Sequence, residues 1–445
     1  MIHEIHPQSP ATFDAVSTLR ERIRTKTARV GVLGLGYVGL PLAVEFAAAG
    51  FEVIGIDVQQ SKVDQVNAGE SYVKDVSIDI FAPLVQSGKL RATSDVSVID
   101  TLDTIDICVP TPLRKTKDPD MSYVIAATDA IAAHMHGGLL IMLESTTYPG
   151  TTDELVLPKL EQSGLTVGKD FFLCFSPERV DPGNAKFHTR NIPKVVGGIT
   201  AACTEMGSLF YRQALETVVP VSSTRVAEMV KLLENTFRMI NIGLVNELAM
   251  MCERMNIDVW EIIDAAATKP FGFMPFYPGP GLGGHCIPID PYYLSWKTKE
   301  AGFEARFIEL AGYINGHMPE FVVEKIQNAL NDTAKPVRGS HIHILGVAYK
   351  RDIDDIRESP ALDIMLLLKQ RGARITFSDP YVTSLKIGDV TLTSEDAAQV
   401  AAADCVVVVT DHSNVDYSQV VEEAKLIVDT RNALKPFKSD KIVKL

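Results

Sequence analysis

The chain has 445 residues, and a protein of this length usually contains about three structural units. Apolar residues make up 46% and charged residues 22% of the sequence, which excludes a disordered chain. The 56 acidic residues outnumber the 43 basic residues, and the net charge of −13 argues against a nucleic-acid partner. No apolar run reaches the roughly 20 residues of a membrane span, and the N-terminus lacks a signal-peptide pattern. We therefore expect a cytoplasmic protein without a membrane partner.

The six cysteines show neither a CxxC pair nor the His/Cys spacing of a zinc site. We therefore expect no disulfide framework and no metal. Cys108, Cys174 and Cys405 lie in apolar strand-like runs and Cys252 lies in a helical pattern, where cysteine is usually inert core. Cys286 has a different setting, which is described below.

The first two segments predict a helical extension and an α/β domain. Residues 1–27 form a short, polar N-terminal helical extension. Residues 28–221 alternate helices with strands, and the strand candidates are ARVGVLGLG, FEVIGID, TIDICVP, GLLIMLEST and FFLCFSP. This alternation predicts a parallel sheet with helices on both faces, as in a Rossmann-like domain.

The middle segment, residues 222–334, predicts a helical domain dominated by one helix from Ser222 to Met255. Apolar residues recur there at three- and four-residue spacing, from Val226 to Met251. One helix of this length would span about 50 Å. We interpret it as a spine between two domains and as the surface of a homodimer. Two helices broken near Gly243 are the alternative.

The last segment, residues 335–445, predicts a second α/β domain with strands in HIHILGVAY, ARITFSDP, DCVVVVT and LIVDTR. The run from His341 to Asp379 loosely repeats the run from Ala28 to Asp57: strand, glycine turn, helix, glycine, strand and acid. The predicted fold class is therefore α/β, with two doubly wound Rossmann-like domains joined by a long central helix and a helical middle domain.

A dinucleotide-binding fingerprint follows the first strand and opens the first helix of the α/β domain. Its sequence is Gly34-Leu35-Gly36-Tyr37-Val38-Gly39. The first glycine permits a tight turn, the second lets the backbone approach a pyrophosphate, and the third allows close helix–strand packing. The N-terminus of the helix then presents its N–H groups to the phosphates.

An acidic residue and a lysine accompany this fingerprint. Asp57 ends the next strand, 18 residues after Gly39. An acid at this position binds a ribose diol and repels a 2′-phosphate, which favours NAD over NADP. Lys62 either neutralises a phosphate or is a solvated helix residue.

Cys286 lies in the loop PGPGLGGHCIPID, among glycine and proline residues. Such a loop is costly to order, and it gives a thiol little steric cover. A thiol near an NAD site can trap an aldehyde as a thiohemiacetal, which hydride loss converts to a thioester that water cleaves. We expect Asp290 to organise the water or the thiol. A tight turn with an incidental cysteine is the alternative.

Taken in order, these motifs resemble the UDP-glucose/GDP-mannose dehydrogenase family from about Ala28 to the C-terminus. Its enzymes are NAD-dependent nucleotide-sugar 6-dehydrogenases that oxidise a primary alcohol twice, to a carboxylate. The resemblance rests on residues 34–39, 108–112, 144–147, 176–178, 231 with 235, 283–286 with 290, and 346–359.

The resemblance implies a role for each matching residue. Cys286 matches the nucleophile. Lys231 and Asn235, four apart on one helix, match the pair that stabilises a developing oxyanion. Thr146 and Asp290 match the groups that hold a water for proton transfer and thioester hydrolysis.

Further matches imply a base and the binding contacts. Glu178 matches the carboxylate near that water and is a candidate general base in deacylation. Thr111, Thr146 and Arg357 match cofactor contacts. The expected substrate contacts are Glu178, Arg179, Lys231, Asn235, Gly283 and Lys350.

Departures from the glucose-type pattern favour a UDP-N-acetylhexosamine substrate. Arg179-Val-Asp-Pro-Gly follows Glu178, where the glucose-type enzymes carry Phe-Leu and a second acid, and their substrate-binding arginine is missing near Lys269. Arg179 is a candidate to hold the acetamido oxygen. UDP-N-acetylglucosamine is the expected substrate, and its uronate would serve surface-polysaccharide synthesis. The mannosamine epimer and UDP-glucose are the alternatives.

Two other classes of function compete with this interpretation. A one-step hydroxyacid or polyol dehydrogenase shares the fold but has no need of a nucleophilic cysteine in a glycine loop. A non-catalytic nucleotide-sugar sensor has no need of Lys231, Asn235, Cys286 and Asp290 together.

Overall fold

The structure, a computed structural model, describes residues 10–73, 76–114, 118–181, 184, 186–396 and 398–445. The chain divides into two compact units that meet between Glu234 and Asn235. The predicted boundaries at residues 27, 221 and 334 differ from this division. The reason lies in the second unit, where helical residues 245–263 and 318–330 share one hydrophobic core with strands of the C-terminal α/β fold. The four-part division stays a prediction.

The first unit contains a mixed sheet flanked by helices. Its helices are α1 (Pro10–Thr25), α2 (Gly39–Ala49), α3 (Gln60–Asn67), α4 (Ile78–Gln86), α5 (Ser122–Ala133), α6 (Leu157–Leu160) and α7 (Ala201–Tyr211). Its strands are β1 (Arg29–Leu33), β2 (Glu52–Ile56), β3 (Leu90–Thr93), β4 (Thr104–Ile107), β5 (Leu140–Leu143), β6 (Phe172–Phe175), β7 (Lys194–Gly198) and β8 (Val218–Val221).

Within the described residues the strand order of this sheet is β3-β2-β1-β4-β5-β6-β7-β8. Strands β1 to β6 are parallel, as the alternation of strands and helices predicts, and their order is that of a Rossmann fold. The sheet is nevertheless not wholly parallel, because β7 pairs antiparallel with β6. The strands predicted from the sequence did not include β3, β7 or β8.

Helix α1 is part of the first unit and not only a polar extension. Its Leu19 and Ile23 are buried in the main core of that unit, and the helix packs against α7. Arg20 pairs with Glu205 at 2.6 Å. One apolar face of the helix therefore anchors it. Residues 1–9 of the predicted extension lie outside the described residues.

A single long helix, α8 (Thr224–Met255), crosses the boundary between the units. The prediction of one helix without a break near Gly243 is confirmed. A Cβ at Gly243 would lie 3.2 Å from the Cα of Ala311, so this glycine lets a neighbouring helix approach closely. It is a packing residue and does not end the helix.

The second unit combines helices with a parallel sheet and a small hairpin. Its helices are α9 (Val259–Ala266), α10 (Asp290–Glu300), α11 (Arg306–Asp332), α12 (Pro360–Gln370), α13 (Ala398–Ala402) and α14 (Tyr417–Glu423). Its strands are β9 (His341–Leu345), β10 (Arg374–Ser378), β11 (Ser384–Ile387), β12 (Val390–Thr393), β13 (Cys405–Val408), β14 (Ile427–Asp429) and β15 (Ile442–Lys444). The parallel sheet has the order β10-β9-β13-β14-β15, and β11 pairs antiparallel with β12.

The internal repeat predicted from the sequence recurs in the hydrogen bonds of both units. In the first unit the Leu35 N–H donates to Asp57 Oδ2 at 2.9 Å. In the second unit the Val347 N–H donates to Asp379 Oδ2 at 2.7 Å. In each case the acid that follows the second strand fixes the turn that follows the first.

A search for membrane spans over the part of the chain that the structure describes finds no helix long and apolar enough to cross a bilayer.

Candidate active site

The glycine loop between β1 and α2 has the geometry of a dinucleotide-binding turn. Gly34 has φ +98°, and a Cβ there would lie 2.6 Å from the carbonyl oxygen of Cys108. A Cβ on Gly39 would overlap the carbonyl oxygen of Gly34. A Cβ on Gly36 would meet nothing within 4 Å, so the loop is open at the glycine where a pyrophosphate approaches. The three glycines therefore fit NAD.

The residues between these glycines lie at the start of α2. Val38 precedes the first residue of the helix, and Tyr37 is 59% exposed. The first N–H groups of a helix have no partner within it, so this end can receive a phosphate.

Asp57 is nearly buried, and three donors hold its carboxylate. The Leu35 N–H and the Gln59 N–H each donate at 2.9 Å, and Lys62 Nζ lies 3.4 Å from Oδ2. Lys62 was expected either to neutralise a phosphate or to be solvated. In the structure its ammonium instead pairs with Asp57, the acid that is expected to bind the ribose.

Cys286 lies one turn before α10, in a loop that fixes its backbone. Its carbonyl oxygen accepts from the N–H groups of Ile289 at 3.1 Å and Asp290 at 2.8 Å. The buried Asp290 accepts from Asn235 Nδ2 at 2.7 Å. Cys286 is partly exposed, whereas the other five cysteines are buried. Three predicted catalytic residues of the second unit thus lie in one connected group, and Cys286 is its partly exposed member.

The glycine segment before Cys286 packs tightly on residues 349–360. The Gly284 N–H donates to the Arg357 carbonyl oxygen at 2.9 Å, and a Cβ on Gly283 would lie 2.5 Å from Tyr349 Cβ. The Arg357 guanidinium binds the Asp355 carboxylate at 2.6–3.0 Å. Lys350, a predicted substrate contact, follows Tyr349 directly and is partly buried.

Two buried asparagines anchor the same loop at its other end. The Gly279 N–H donates to Asn246 Oδ1 at 2.9 Å, and Asn246 Nδ2 donates to Asn315 Oδ1 at 2.8 Å. Asn315 Nδ2 in turn donates to the Met239 carbonyl oxygen at 3.1 Å. This amide chain ties the start of the loop to helices α8 and α11.

Glu178 follows β6 in the first unit, and its carboxylate is held on both oxygens. Oε1 accepts from the N–H groups of Arg179 at 2.7 Å and Val180 at 2.8 Å, and Oε2 lies 3.0 Å from Lys194 Nζ. Burial opposes ionisation, but Lys194, the Val180 N–H and Lys231 hold the pKa of Glu178 below its ordinary value. The buried Lys231 and Glu178 are therefore electrostatic partners in this unit.

Lys194 also binds a second buried acid. Its Nζ lies 2.6 Å from Glu144 Oε2, and Tyr211 OH contacts both Glu144 Oε1 and, at 2.7 Å, Asp106 Oδ1. We call Asp106, Glu144, Glu178, Lys194 and Tyr211 the buried charge cluster. Burial alone would lower the pKa of Lys194, but Glu144 and Glu178 raise it above its ordinary value. The lysine is therefore a permanent cation.

Arg179 is held inside the first unit. Its Nε and Nη2 bind the Glu234 carboxylate at 3.1 and 2.5 Å, and its Nη1 donates to the Pro193 carbonyl oxygen at 2.7 Å. An acetamido contact would have to use the two remaining N–H groups. The Pro-Gly at 182–183, part of the motif that follows Arg179, lies outside the described residues.

Glu228 on α8 fixes the segment that follows Thr146. It is 1% exposed, and it accepts from the Gly150 N–H at 2.6 Å and from the Thr152 N–H and hydroxyl at 2.9 and 2.7 Å. Burial raises the pKa of Glu228 to about 7, although these three donors oppose the rise. Because Lys231 is one turn further along α8, the same helix positions both Lys231 and the loop of Thr146.

The predicted site residues divide between the two units. Cys286, Asn235, Asp290, Gly283, Lys350 and Arg357 belong to the second unit. Gly34, Gly36, Tyr37, Val38, Gly39, Asp57, Lys62, Thr111, Thr146, Glu178, Arg179 and Lys231 belong to the first.

Sequence reasoning missed the residues that support these side chains. Glu144 lay within a matched segment but received no role. A lysine directly before the apolar strand residues Val195 and Val196 was a signal for Lys194, because a lysine beside a buried strand needs a buried counter-charge. Nothing in the local sequence distinguishes Glu228 or Asn246 from other polar helix residues.

Three family profiles match successive parts of the chain. They describe the UDP-glucose/GDP-mannose dehydrogenase family: its NAD binding domain over residues 28–215, its central domain over 225–317 and its UDP binding domain over 343–436. The chain belongs to this family. It is an NAD-dependent oxidoreductase that acts on a UDP-sugar.

Individual relatives agree with this assignment. The chain is 35% identical over 415 residues to UDP-N-acetyl-D-mannosamine dehydrogenase of Pyrococcus horikoshii, covering 92% of this chain and 96% of that protein. It is 36% identical over 361 residues to UDP-N-acetyl-D-glucosamine 6-dehydrogenase of Pseudomonas aeruginosa, covering 81% and 84%. The solved structure of UDP-D-ManNAc dehydrogenase from Pyrococcus horikoshii superposes with a TM-score of 0.86 at 33% identity, covering 94% of this chain and 98% of that one.

Proposed function

We propose that this enzyme oxidises the C6 alcohol of a UDP-N-acetylhexosamine twice, to the uronate, through a thioester on Cys286. The observation that carries the proposal is the partly exposed Cys286 on a glycine loop, one helical turn from an Asp290 that Asn235 holds at 2.7 Å. A one-step dehydrogenase has no use for a nucleophile at this position, because its product is released as the carbonyl compound.

The chain supplies a nucleophile and groups for the proton transfers. Two NAD molecules, bound one after the other at the glycine loop, would supply the hydride acceptors for the two oxidations. The first oxidation removes a hydride and a proton from the alcohol and leaves an aldehyde. Cys286 Sγ adds to the aldehyde carbon, and the thiol proton ends on the hemiacetal oxygen. Loss of a second hydride and of that proton leaves a thioester.

Hydrolysis of the thioester regenerates the enzyme. Water adds to the thioester carbonyl, Glu178 accepts a proton from it, and the uronate leaves as the C–S bond breaks. Lys231 and Asn235 stabilise the oxyanion, and Thr146 and Asp290 hold the water. Glu178 suits the role of base because Lys194 and two backbone N–H groups favour its ionised form.

The remaining binding contacts are proposals of the same kind. We assign Tyr37, Val38, Asp57, Lys62, Thr111, Thr146 and Arg357 to NAD. We assign Arg179, Gly283 and Lys350, together with Glu178, Lys231 and Asn235, to the UDP-sugar. A cytoplasmic location and a role in surface-polysaccharide synthesis complete the proposal.

UDP-N-acetylglucosamine is the first candidate substrate, and its mannosamine epimer is the second. Relatives named for each sugar match at 36% and 35% identity, so both deserve the test. NADH formation should be measured side by side with UDP-GlcNAc, UDP-ManNAc, UDP-GalNAc and UDP-glucose. The proposal expects the highest kcat/KM with UDP-GlcNAc. A preference for UDP-ManNAc would move the assignment to the second candidate, and a preference for UDP-glucose would contradict the hexosamine assignment.

The active form is proposed to be at least a homodimer formed through α8. One face of this helix carries exposed apolar side chains at regular spacing: Val226, Leu233, Phe237, Leu244, Met251 and Met255. A contiguous apolar face of this length is typical of an interface.

A further inference from the structure

We propose that Lys194 is a positioning residue that keeps Glu178 a fixed carboxylate base, and that the rest of the buried charge cluster tunes this effect through a neutral Asp106. The inference rests on the proposed role of Glu178. It adds a role for four residues that do not contact the reacting atoms and to which the sequence analysis gave no role.

The proton count of the cluster follows from its contacts. Tyr211 OH lies within hydrogen-bond distance of two carboxyl oxygens, one from Glu144 and one from Asp106. A phenol has a single proton, so it can donate to only one of them. The other carboxyl group must therefore carry a proton and donate it to the phenol oxygen.

Asp106 is the group that holds this proton. Its second oxygen, Oδ2, is buried and makes no hydrogen bond to any residue that the structure describes. Burial also raises the pKa of Glu144, but Glu144 lies 2.6 Å from the ammonium of Lys194, which opposes that rise. Burial and the neighbouring charge of Glu144 raise the pKa of Asp106 well above its ordinary value. Asp106 thus donates to Tyr211, and Tyr211 donates to Glu144.

The ammonium of Lys194 then forms ion pairs with two carboxylates, those of Glu144 and Glu178. Lys194 carries a positive charge, Glu144 and Glu178 each carry a negative charge, and Asp106 and Tyr211 are neutral. Two further groups face the cluster: Cys108, whose thiol is kept neutral because burial raises its pKa, and Lys231, which favours the ionised form of Glu178. Glu144 and Glu178 therefore compete for the ammonium of Lys194.

This competition predicts opposite effects for two substitutions. Lys194→Met removes the cation and leaves two buried carboxylates together, so the pKa of Glu178 rises. Glu144→Gln keeps the shape of the side chain but removes its charge, so Lys194 acts on Glu178 alone and the pKa of Glu178 falls. General destabilisation would not move the two variants in opposite directions.

The test is the pH dependence of kcat, measured by NADH formation with the UDP-sugar that the wild-type enzyme oxidises best. The apparent pKa on the low-pH side of this profile, its acid limb, reports the ionisation of Glu178. We expect this pKa to rise by about one pH unit or more in Lys194→Met, to fall in Glu144→Gln, and to be unchanged in Lys194→Arg. kcat should fall with little change in KM. The control is Lys325→Met, which removes another buried lysine from an ion pair, here with the exposed Glu253 at 2.8 Å, and should not move the limb.

Acid limbs that coincide, or that move in the same direction in Lys194→Met and Glu144→Gln, would overturn the role of Lys194. If Lys194→Met does not fold, the downward shift in Glu144→Gln decides, and its absence overturns the proposal. A wild-type enzyme that oxidises no UDP-sugar would instead contradict the proposed function itself.

A second measurement tests the neutral Asp106 without any activity. At pH 8 the infrared difference spectrum between the wild type and Asp106→Asn should contain the carbonyl band of one un-ionised carboxylic acid. The corresponding spectrum for Glu144→Gln should lack it. A band that is lost in Glu144→Gln and retained in Asp106→Asn would overturn the proton assignment.

Discussion

Asp57 and Asp379 hold the same position in the two Rossmann-like sheets, but their surroundings differ. Asp379 accepts four backbone N–H groups and lies 3.0 Å from the imidazole of the buried His412. Asp57 accepts two backbone N–H groups and lies near Lys62. The carboxylate of Asp379 is therefore fully occupied by backbone N–H groups and His412. Asp57 has fewer donors and can still accept hydrogen bonds from a ribose.

The pair provides a matched test of cofactor choice. Wild-type enzyme should prefer NAD over NADP by about 100-fold in kcat/KM, because Asp57 repels a 2′-phosphate and binds the diol. Asp57→Ala should lower the ratio of kcat/KM with NAD to kcat/KM with NADP. Asp379→Ala should leave this ratio unchanged, although each variant loses hydrogen bonds to backbone N–H groups. Equal efficiency of the wild type with the two cofactors would remove Asp57 from this role.

The thiol of Cys286 should be essential for turnover to the acid. Cys286→Ser should lose about 10³-fold or more in steady-state formation of uronate while NAD binding, measured by calorimetry, is retained. A serine oxygen is a poor nucleophile at neutral pH and cannot form a thioester. Full steady-state activity of Cys286→Ser would refute the covalent scheme.

Glu228 should make stability depend on pH. Its ordinary pKa of 4.5 applies to the unfolded chain, whereas burial raises the folded value to about 7. Between these values the folded protein retains a proton that the unfolded chain releases, so stability falls as pH rises through this window, by about 3 kcal/mol. Glu228→Gln cannot ionise, so its stability relative to the wild type should rise between pH 5 and pH 8. Parallel urea-unfolding profiles for the two proteins would contradict this.

At this scale the sequence offers candidates for the reacting residues but not for the residues that support them. Cys286 was recognisable because a thiol in a glycine loop has no packing role, and the glycine fingerprint has a fixed spacing. The contacts of Lys194 with Glu144 and of Tyr211 with Asp106 join residues 50 and 105 positions apart. Such pairs leave no periodic pattern in the sequence.

Among the elements, the uninterrupted apolar spacing correctly predicted α8, and the alternation of strands with helices correctly predicted β1, β2, β4, β5 and β6 but not β3. The antiparallel pairing of β7 with β6 was not predictable, because short valine-rich runs give the same signal in either direction. The prediction of a polar α1 missed the apolar face by which this helix packs on the first unit. Among the described side chains of α1, Leu19 and Ile23 are buried in the core and Val16 packs against it, which is too few apolar positions for a clear periodic pattern.

The exposed face of α8 leads to a prediction about assembly. Leu233 and Leu244 are 59% and 55% exposed, and they lie three turns apart on one face of the helix. The double variant Leu233→Glu with Leu244→Glu should sediment as a monomer, because two charges cannot be buried in an apolar interface. Val390→Glu, which puts the same charge on an exposed residue of β12, should not change the oligomeric state. A wild-type enzyme that sediments as an active monomer would refute the dimer.

On the scale of the whole molecule, each unit supplies a different part of the proposed reaction. The first unit contributes the NAD loop, Glu178 and Lys231, and the second contributes Asn235, Cys286 and Asp290. Neither unit holds all of the groups that two successive oxidations and a hydrolysis require. We therefore expect the complete reaction, two oxidations and the hydrolysis, only from the intact chain.

The stoichiometry of NADH against sugar tests this account most directly. With limiting UDP-N-acetylglucosamine and excess NAD, the wild-type enzyme should form two NADH for each substrate consumed, and mass spectrometry should identify the uronate as the product. Two equivalents follow because the aldehyde is trapped on Cys286 and oxidised again before release. One NADH per substrate, with a free aldehyde as the product, would contradict the central claim.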